Sequence, residues 1–220
     1  MAILDENIPK LTRGEPIFCG LHRLLDEGEF TFKGIPYAVP PLEERRFAPA
    51  EPLRSVDKCW NGTLKAWHNE SDAAPAQCWQ LYRNGSHDGD ENCLTLDVYT
   101  RRVRYDAPLP VVVLVSSESL AGGHAWRPAR GMARQRDVVF VQPRFRLGPF
   151  GFLVANAITR ANYPPHSGNY ALSDLIAALE WVQINVEHFG GNPDVSIHVF
   201  YFLTSHASTT FRQSINLSFD

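Results

Sequence analysis

The 220-residue sequence contains no run of about 18 apolar residues, the length a helix needs to cross a bilayer, so no helical span is expected within it. Its first residues, Met1-Ala2-Ile3-Leu4-Asp5-Glu6-Asn7, lack a basic segment followed by an apolar one, and no signal peptide is read there. An excess of either charge is also missing. Twenty-one Lys and Arg stand against 24 Asp and Glu, a formal net charge of −3, and that balance calls for neither nucleic acid nor an acidic membrane. The local exception is a stretch in which Arg127, Arg130, Arg134, Arg136, Arg144 and Arg146 face one acid, Asp137. These read as arginines at the ends of a helix and a strand, packing by their stems and pairing elsewhere, in preference to a polyanion patch. There is no G-x-G-x-x-G or Walker sequence to cradle a nucleotide, and the histidines show no metal-ligand spacing. His87-Asp88-Gly89-Asp90-Glu91-Asn92 begins like a calcium loop. Cys93 then stands where such a loop needs glycine, and Tyr99 where it needs glutamate. No metal and no cofactor is expected.

What is present describes an ordinary globular domain, 44% hydrophobic and 20% charged. The four cysteines are an even number, and Asn-x-Ser/Thr sequons begin at Asn61, Asn69, Asn84 and Asn216. Both features point to an extracellular or cell-surface location. Residues 30–37 start as a strand that Gly34 and Pro36 halt, and Val39-Pro40-Pro41 fits neither helix nor central strand. Leu94–Tyr99 alternates apolar and polar, the pattern of a half-buried strand. Val111–Val115 and Val138–Val141 are short continuous β-branched or aromatic runs, as in strands covered on both faces. Leu172, Leu175, Ile176, Leu179, Val182 and Val186 recur at helical spacing and predict one apolar stripe. Asn169 or Ser173 could cap that helix, and His188, Gly190, Gly191 and Pro193 end it. A third β-rich run covers residues 195–200. The order predicts an α/β fold with a mainly parallel central sheet.

Six blocks carry a resemblance. Phe32–Pro41 with Arg46-Phe47, Asp90–Val98, Phe145–Leu153, Gly168–Asp174, Ala178–Asn185 and Phe189–Pro193 follow one another as in type B carboxylesterases and cholinesterases. The chain therefore resembles the N-terminal portion of their α/β-hydrolase domain, which implies that the C-terminal half is absent. The division expected is a 1–13 N-terminal segment, a partial hydrolase-like domain over 14–199, and a divergent tail over 200–220. Residues 113–122 and 139–148 are similar to those of adhesion members of the family. That likeness implies a membrane-anchored glycoprotein that binds a protein partner at the cell surface, of the secreted immunoglobulin-superfamily type. The resemblance also implies a disulfide between Cys78 and Cys93, and makes the acids before β-rich Leu94–Val98 structural, with an arginine partner. Cys19 and Cys59 then either form a second pair or stay as thiols.

The family's catalytic parts are not legible in the chain. A nucleophile elbow needs a serine between small residues, G-x-S-x-G, and no serine here has glycine two before and two after. The equivalent position falls near Tyr201, within Val199-Phe200-Tyr201-Phe202-Leu203, and Ser205 and Ser208 lack flanking glycines. The oxyanion hole needs amide donors from a Gly-rich loop after the Val111–Val115 strand. That loop reads Ser116-Ser117-Glu118-Ser119-Leu120, and Gly122-Gly123-His124 is displaced. No catalytic residue is expected, and the function expected is non-catalytic recognition. The alternative is a truncated fragment of an active esterase that hydrolyses carboxylic esters.

Overall fold

The computed structural model describes residues 24–26, 29–53, 77–82, 84–102, 107–117, 119–122, 132–162, 165–194, 198–203 and 211–216. Among these, nine strands form two sheets. The large sheet has seven strands in the order β1-β2-β5-β7-β6-β8-β9. In chain order they are β1 (Leu24–Asp26), β2 (Glu29–Pro36), β5 (Thr95–Thr100), β6 (Val111–Ser117), β7 (Val139–Pro143), β8 (His198–Leu203) and β9 (Phe211–Asn216). A short hairpin of β3 (Gln80–Leu81) and β4 (His87–Asp88) makes the other sheet. The helices are α1 (Met132–Arg136), α2 (Gly148–Phe152), α3 (Asn156–Ala161) and α4 (Tyr170–Asn185).

The sheet corrects the expected mainly parallel arrangement. Only β6–β7 and β6–β8 pair in parallel, while β1–β2, β2–β5, β5–β7 and β8–β9 are antiparallel. Burial on both faces makes a strand read as a continuous apolar run, but it does not fix direction. The central strands β6 and β7 carry such runs and are parallel to each other; the remaining strands extend the sheet in mixed directions.

Alternate side chains divide the central strands between two layers, as the two-residue repeat requires. Val111, Val113, Val115, Val139, Val141, Leu96 and Val98 join Phe32, Trp181, Val182 and Phe189 in the main core. The Phe32 and Phe189 rings meet edge-on with centroids 4.9 Å apart. On the other face Leu114, Phe140 and Tyr99 pack with Ala133 of α1.

Several local expectations change. β2 does not stop at Gly34. It passes through a bulge between Phe32 and Ile35, where Gly34 takes φ 71° and donates its N–H to Asp97 Oδ1 at 2.9 Å. β5 is buried at all six positions, not on alternate ones. Two of its polar residues, Thr95 and Asp97, are held inside by Arg144. The α4 stripe also divides: Leu179 and Val182 are buried, but Leu172 and Ile176 are exposed, as is Ile184. The buried face of α4 uses small and polar residues instead, Ala171, Asp174, Ala177, Ala178 and Asn185. Neither Asn169 nor Ser173 caps the helix. Asn169 sits at φ 57° with no side-chain cap bond, and Ser173 Oγ donates to Tyr170 O while accepting from Ala50 N–H. At the far end a 3-10 turn, Val186–Phe189, closes on Gly190 at φ 77°. Burial lowers the His188 imidazole from its ordinary value, so it favours the neutral form.

Candidate functional site

The strand order fixes where a site would sit. After β6 the chain moves to β7 on one side, then returns across α2, α3 and α4 to β8 on the other. Connections that leave a strand in opposite directions open a crevice beyond its carboxyl end. The loop after Ser117 lies at that point.

This loop is closed on itself. Ser119 N–H donates to Gly122 O at 2.9 Å, and Gly122 N–H returns to Ser119 O at 3.2 Å. Ala121 N–H donates to Ser119 Oγ, which in turn donates to Gly122 O. Ser117 Oγ donates to Ser119 O. Two outward carbonyls anchor the turn: Leu120 O accepts from Gly148 N–H at 2.7 Å, and Ala121 O accepts from Leu81 N–H at 3.2 Å. Gly122, at φ 138°, lies so close to β3 that a Cβ would be 2.5 Å from that of Gln80. The loop is thereby pinned between α2 and the β3–β4 hairpin, with Leu120 exposed.

β8 runs straight through the position where the nucleophile elbow was sought. Tyr201 is the ladder partner of both Val115 in β6 and Gln213 in β9. The backbone at Tyr201 is therefore extended within the sheet. Ser205 and Ser208 lie outside the described residues, as do Glu118 and Gly123-His124.

Beside the loop, an aromatic group joins the hairpin to α2. Trp79 meets Phe150 edge-on at 5.3 Å, and Phe47 stacks on Phe150 at 6.2 Å. The hollow between Trp79, Phe150, Pro41, Glu91 and Arg146 encloses about 10 Å³, room for one water molecule and no substrate.

Two buried ion pairs tie this region to β5 and to α4. Arg144 grips Asp97 with two bonds, Nη1 to Oδ1 at 3.0 Å and Nη2 to Oδ2 at 2.7 Å, and also reaches Thr95 Oγ1. The buried Tyr37 hydroxyl donates to Arg144 O at 2.6 Å; burial raises its phenol well above the ordinary value and keeps it a donor. Arg146 binds Asp174 through Nε, Nη2 and its own backbone N–H. Burial raises the Asp174 carboxyl, and the Arg146 bonds pull it the other way. Arg146 also lies 5.4 Å from the Tyr170 ring centre. Glu91 accepts from Arg46 Nε at 2.5 Å, the arginine partner expected for this acidic run.

The arginine-rich stretch thus separates. Arg144 and Arg146 are internal, Arg136 is exposed, and Asp137 pairs with Arg101 at 2.7 Å. Arg127 and Arg130 lie outside the described residues. The sequence did not single out the Asp97–Arg144 and Arg146–Asp174 pairs, because their partners are 47 and 28 residues apart. No pattern within a single element signals such a pair.

Cys78 and Cys93 form a disulfide, with Cα atoms 4.9 Å apart, across the base of the segment that holds the β3–β4 hairpin. Asn84 is exposed at the hairpin tip, and Asn216 ends β9. Cys19, Cys59, Asn61 and Asn69 lie outside the described residues. Among the described residues no group of three or more His, Cys, Asp or Glu could hold a metal ion, and no helix is long and apolar enough to cross a membrane.

The sheet order, the inward Asp97–Arg144 pair and the disulfide accompany a family match over residues 25–200 to the carboxylesterase family. The chain belongs to the carboxylesterase family. Among curated relatives, neurotactin of Drosophila melanogaster is 48% identical over 192 residues, covering 84% of this chain and 22% of that protein. Cocaine esterase of Oryctolagus cuniculus is 35% identical over 183 residues, covering 76% of this chain and 31% of that protein. Among solved structures, a carboxylesterase of Geobacillus stearothermophilus superposes with a TM-score of 0.69 at 29% identity, covering 85% of this chain and 36% of the other. The fold is thus part of an esterase α/β-hydrolase fold, and the chain spans about a fifth to a third of the length of these relatives.

Proposed function

We propose that this domain recognises a protein partner at the cell surface and does not hydrolyse esters. The observation that carries this reading is the loop after β6. An oxyanion hole stabilises developing charge with amide donors left open for it. Here the N–H groups of Ser119, Ala121 and Gly122 all donate within the loop. The extended backbone at Tyr201 supports the same reading, because an elbow there would need a sharp strand-to-helix turn. The likeness to neurotactin supports a recognition role over catalysis, and the Cys78–Cys93 disulfide suits an oxidising, extracellular setting. The family resemblance implies a partner of the secreted immunoglobulin-superfamily type.

The test combines two measurements on the full chain. Purified protein is assayed with an activated ester and with a serine-directed organophosphorus probe. Turnover equal to a heat-inactivated control and no covalent label are expected. Surface biotinylation of intact cells is expected to label the protein. Saturable hydrolysis abolished by the probe would overturn the reading in favour of an active esterase fragment.

A further inference from the structure

We propose that Asn84 is an N-glycosylation site whose acceptor conformation is built into the β3–β4 hairpin. The hairpin closes through Tyr82 N–H to Ser86 O at 2.8 Å and Gly85 N–H to Tyr82 O at 2.9 Å. This places Asn84-Gly85-Ser86 at an exposed tip. Within the tripeptide, Asn84 Oδ1 accepts from Ser86 N–H at 3.0 Å and from Ser86 Oγ–H at 2.6 Å. A backbone N–H can only donate, so the atom it meets is the amide oxygen and the nitrogen is the other end of the group. The side chain is thus folded into an Asx turn that puts the Ser86 hydroxyl against the amide and leaves Nδ2 directed away from it. Space at the tip is open. A side chain at Gly85, which sits at φ 83°, would meet nothing within 4 Å.

The chemistry needs these three features together. A glycan is bulky and must leave the surface unobstructed. The co-substrate is an oligosaccharide linked to a polyisoprenyl diphosphate, handled by a membrane transferase. Nδ2 forms a bond to the anomeric carbon, and the bond from that carbon to the diphosphate oxygen breaks. The diphosphate leaves with the electron pair, and Nδ2 loses one proton to a base of the transferase. The disulfide that spans this segment, Cys78 to Cys93, forms under the same oxidising conditions in which such a transferase acts.

The inference rests on the cell-surface reading for its compartment only. The test is the full chain produced in eukaryotic cells behind a cleavable secretion signal, treated with peptide N-glycosidase in heavy-oxygen water and mapped by mass spectrometry. Conversion of Asn84 to a heavy-oxygen aspartyl product is expected, with a step to faster gel migration. Asn84→Gln and Ser86→Ala should each abolish the label, and Ser86→Thr should keep it. Recovery of unmodified Asn84 peptide before enzyme treatment overturns the proposal. So does an unlabelled aspartyl product at this position before treatment, the mark of spontaneous deamidation at the Asn84–Gly85 bond. Because secretion is imposed, such a result leaves the cell-surface reading standing, whereas failure of surface labelling in the preceding test leaves this site standing.

Discussion

Replacing Asp97 by Leu and Arg144 by Met, singly and together, tests whether this buried pair organises the sheet. Both side chains are more than nine-tenths buried. Removing Arg144 leaves a carboxylate inside with the Gly34 N–H as its main remaining donor. Removing Asp97 leaves a guanidinium whose closest remaining side-chain partner is Thr95 Oγ1, and strips the Gly34 N–H at the β2 bulge of its acceptor. Breaking a buried pair from one side costs about 3–5 kcal/mol, out of a typical total of about 5–15. The double variant buries no charge, and its main defect is the unpaired Gly34 N–H, worth roughly 1–3 kcal/mol. The single effects should therefore exceed the double, with a coupling of about 3 kcal/mol or more. Urea unfolding followed by tryptophan fluorescence, to which the buried Trp181 contributes, reads this directly. At a slope of about 2 kcal/mol per molar, each single variant should lose about 2 M in midpoint. Where a single variant does not accumulate folded, the double should still fold. Single losses under about 1 kcal/mol, or a double variant no more stable than the weaker single, would refute the reasoning.

Two further outcomes follow from the hairpin and the helix end. Cys93→Ala opens a loop with a sequence separation of 15 and should cost about 3 kcal/mol; reductant should lower the midpoint of the unaltered protein by a similar amount and leave the variant unmoved. His188 has its folded value lowered by burial, so the unfolded chain binds the proton first as pH falls below about 6.5. Stability from this group is present above that value and declines as pH falls towards the folded value. His188→Gln should flatten the stability profile in that window, and an unchanged slope would count against a half-buried neutral imidazole.

The strands were legible where packing alone determines the pattern. Val111–Val115 and Val139–Val141 have covered faces, and any chain that buries them must be apolar throughout. Sequence reading failed where a distant partner changes what a polar residue means. Asp97 and Thr95 made β5 look half solvated, yet Arg144 neutralises the first and hydrogen-bonds both. Leu172 and Ile176 failed in the opposite sense. Their spacing matched a core stripe, but Asp174 takes the inward position because Arg146 is there to receive it. Strand direction was not legible because side-chain alternation is the same in parallel and antiparallel ladders. In the candidate site, the bulky run at residues 199–203, where an elbow was sought, could be read from sequence. The closed hydrogen-bonding of Ser119 and Gly122 could not, since it depends on loop geometry.

That closed loop bears on catalysis more directly than any missing side chain. Preorganised donors accelerate acyl transfer because they cost no rearrangement when charge develops. In this loop, offering the Ser119 and Gly122 N–H groups to an oxyanion would mean breaking the bonds each makes to the other's carbonyl. Leu120→Gly would remove a side chain and leave those bonds in place. Opening the turn would also disturb its anchors at Gly148 and Leu81, because the carbonyls between the two bonded residues are the ones held. On the proposed non-catalytic reading, the same contacts that engage these amides make the loop a fixed feature beside an exposed Leu120 and the Trp79–Phe150 pair. Fixed, partly apolar relief of this kind suits recognition, where a surface that does not rearrange loses less entropy on binding.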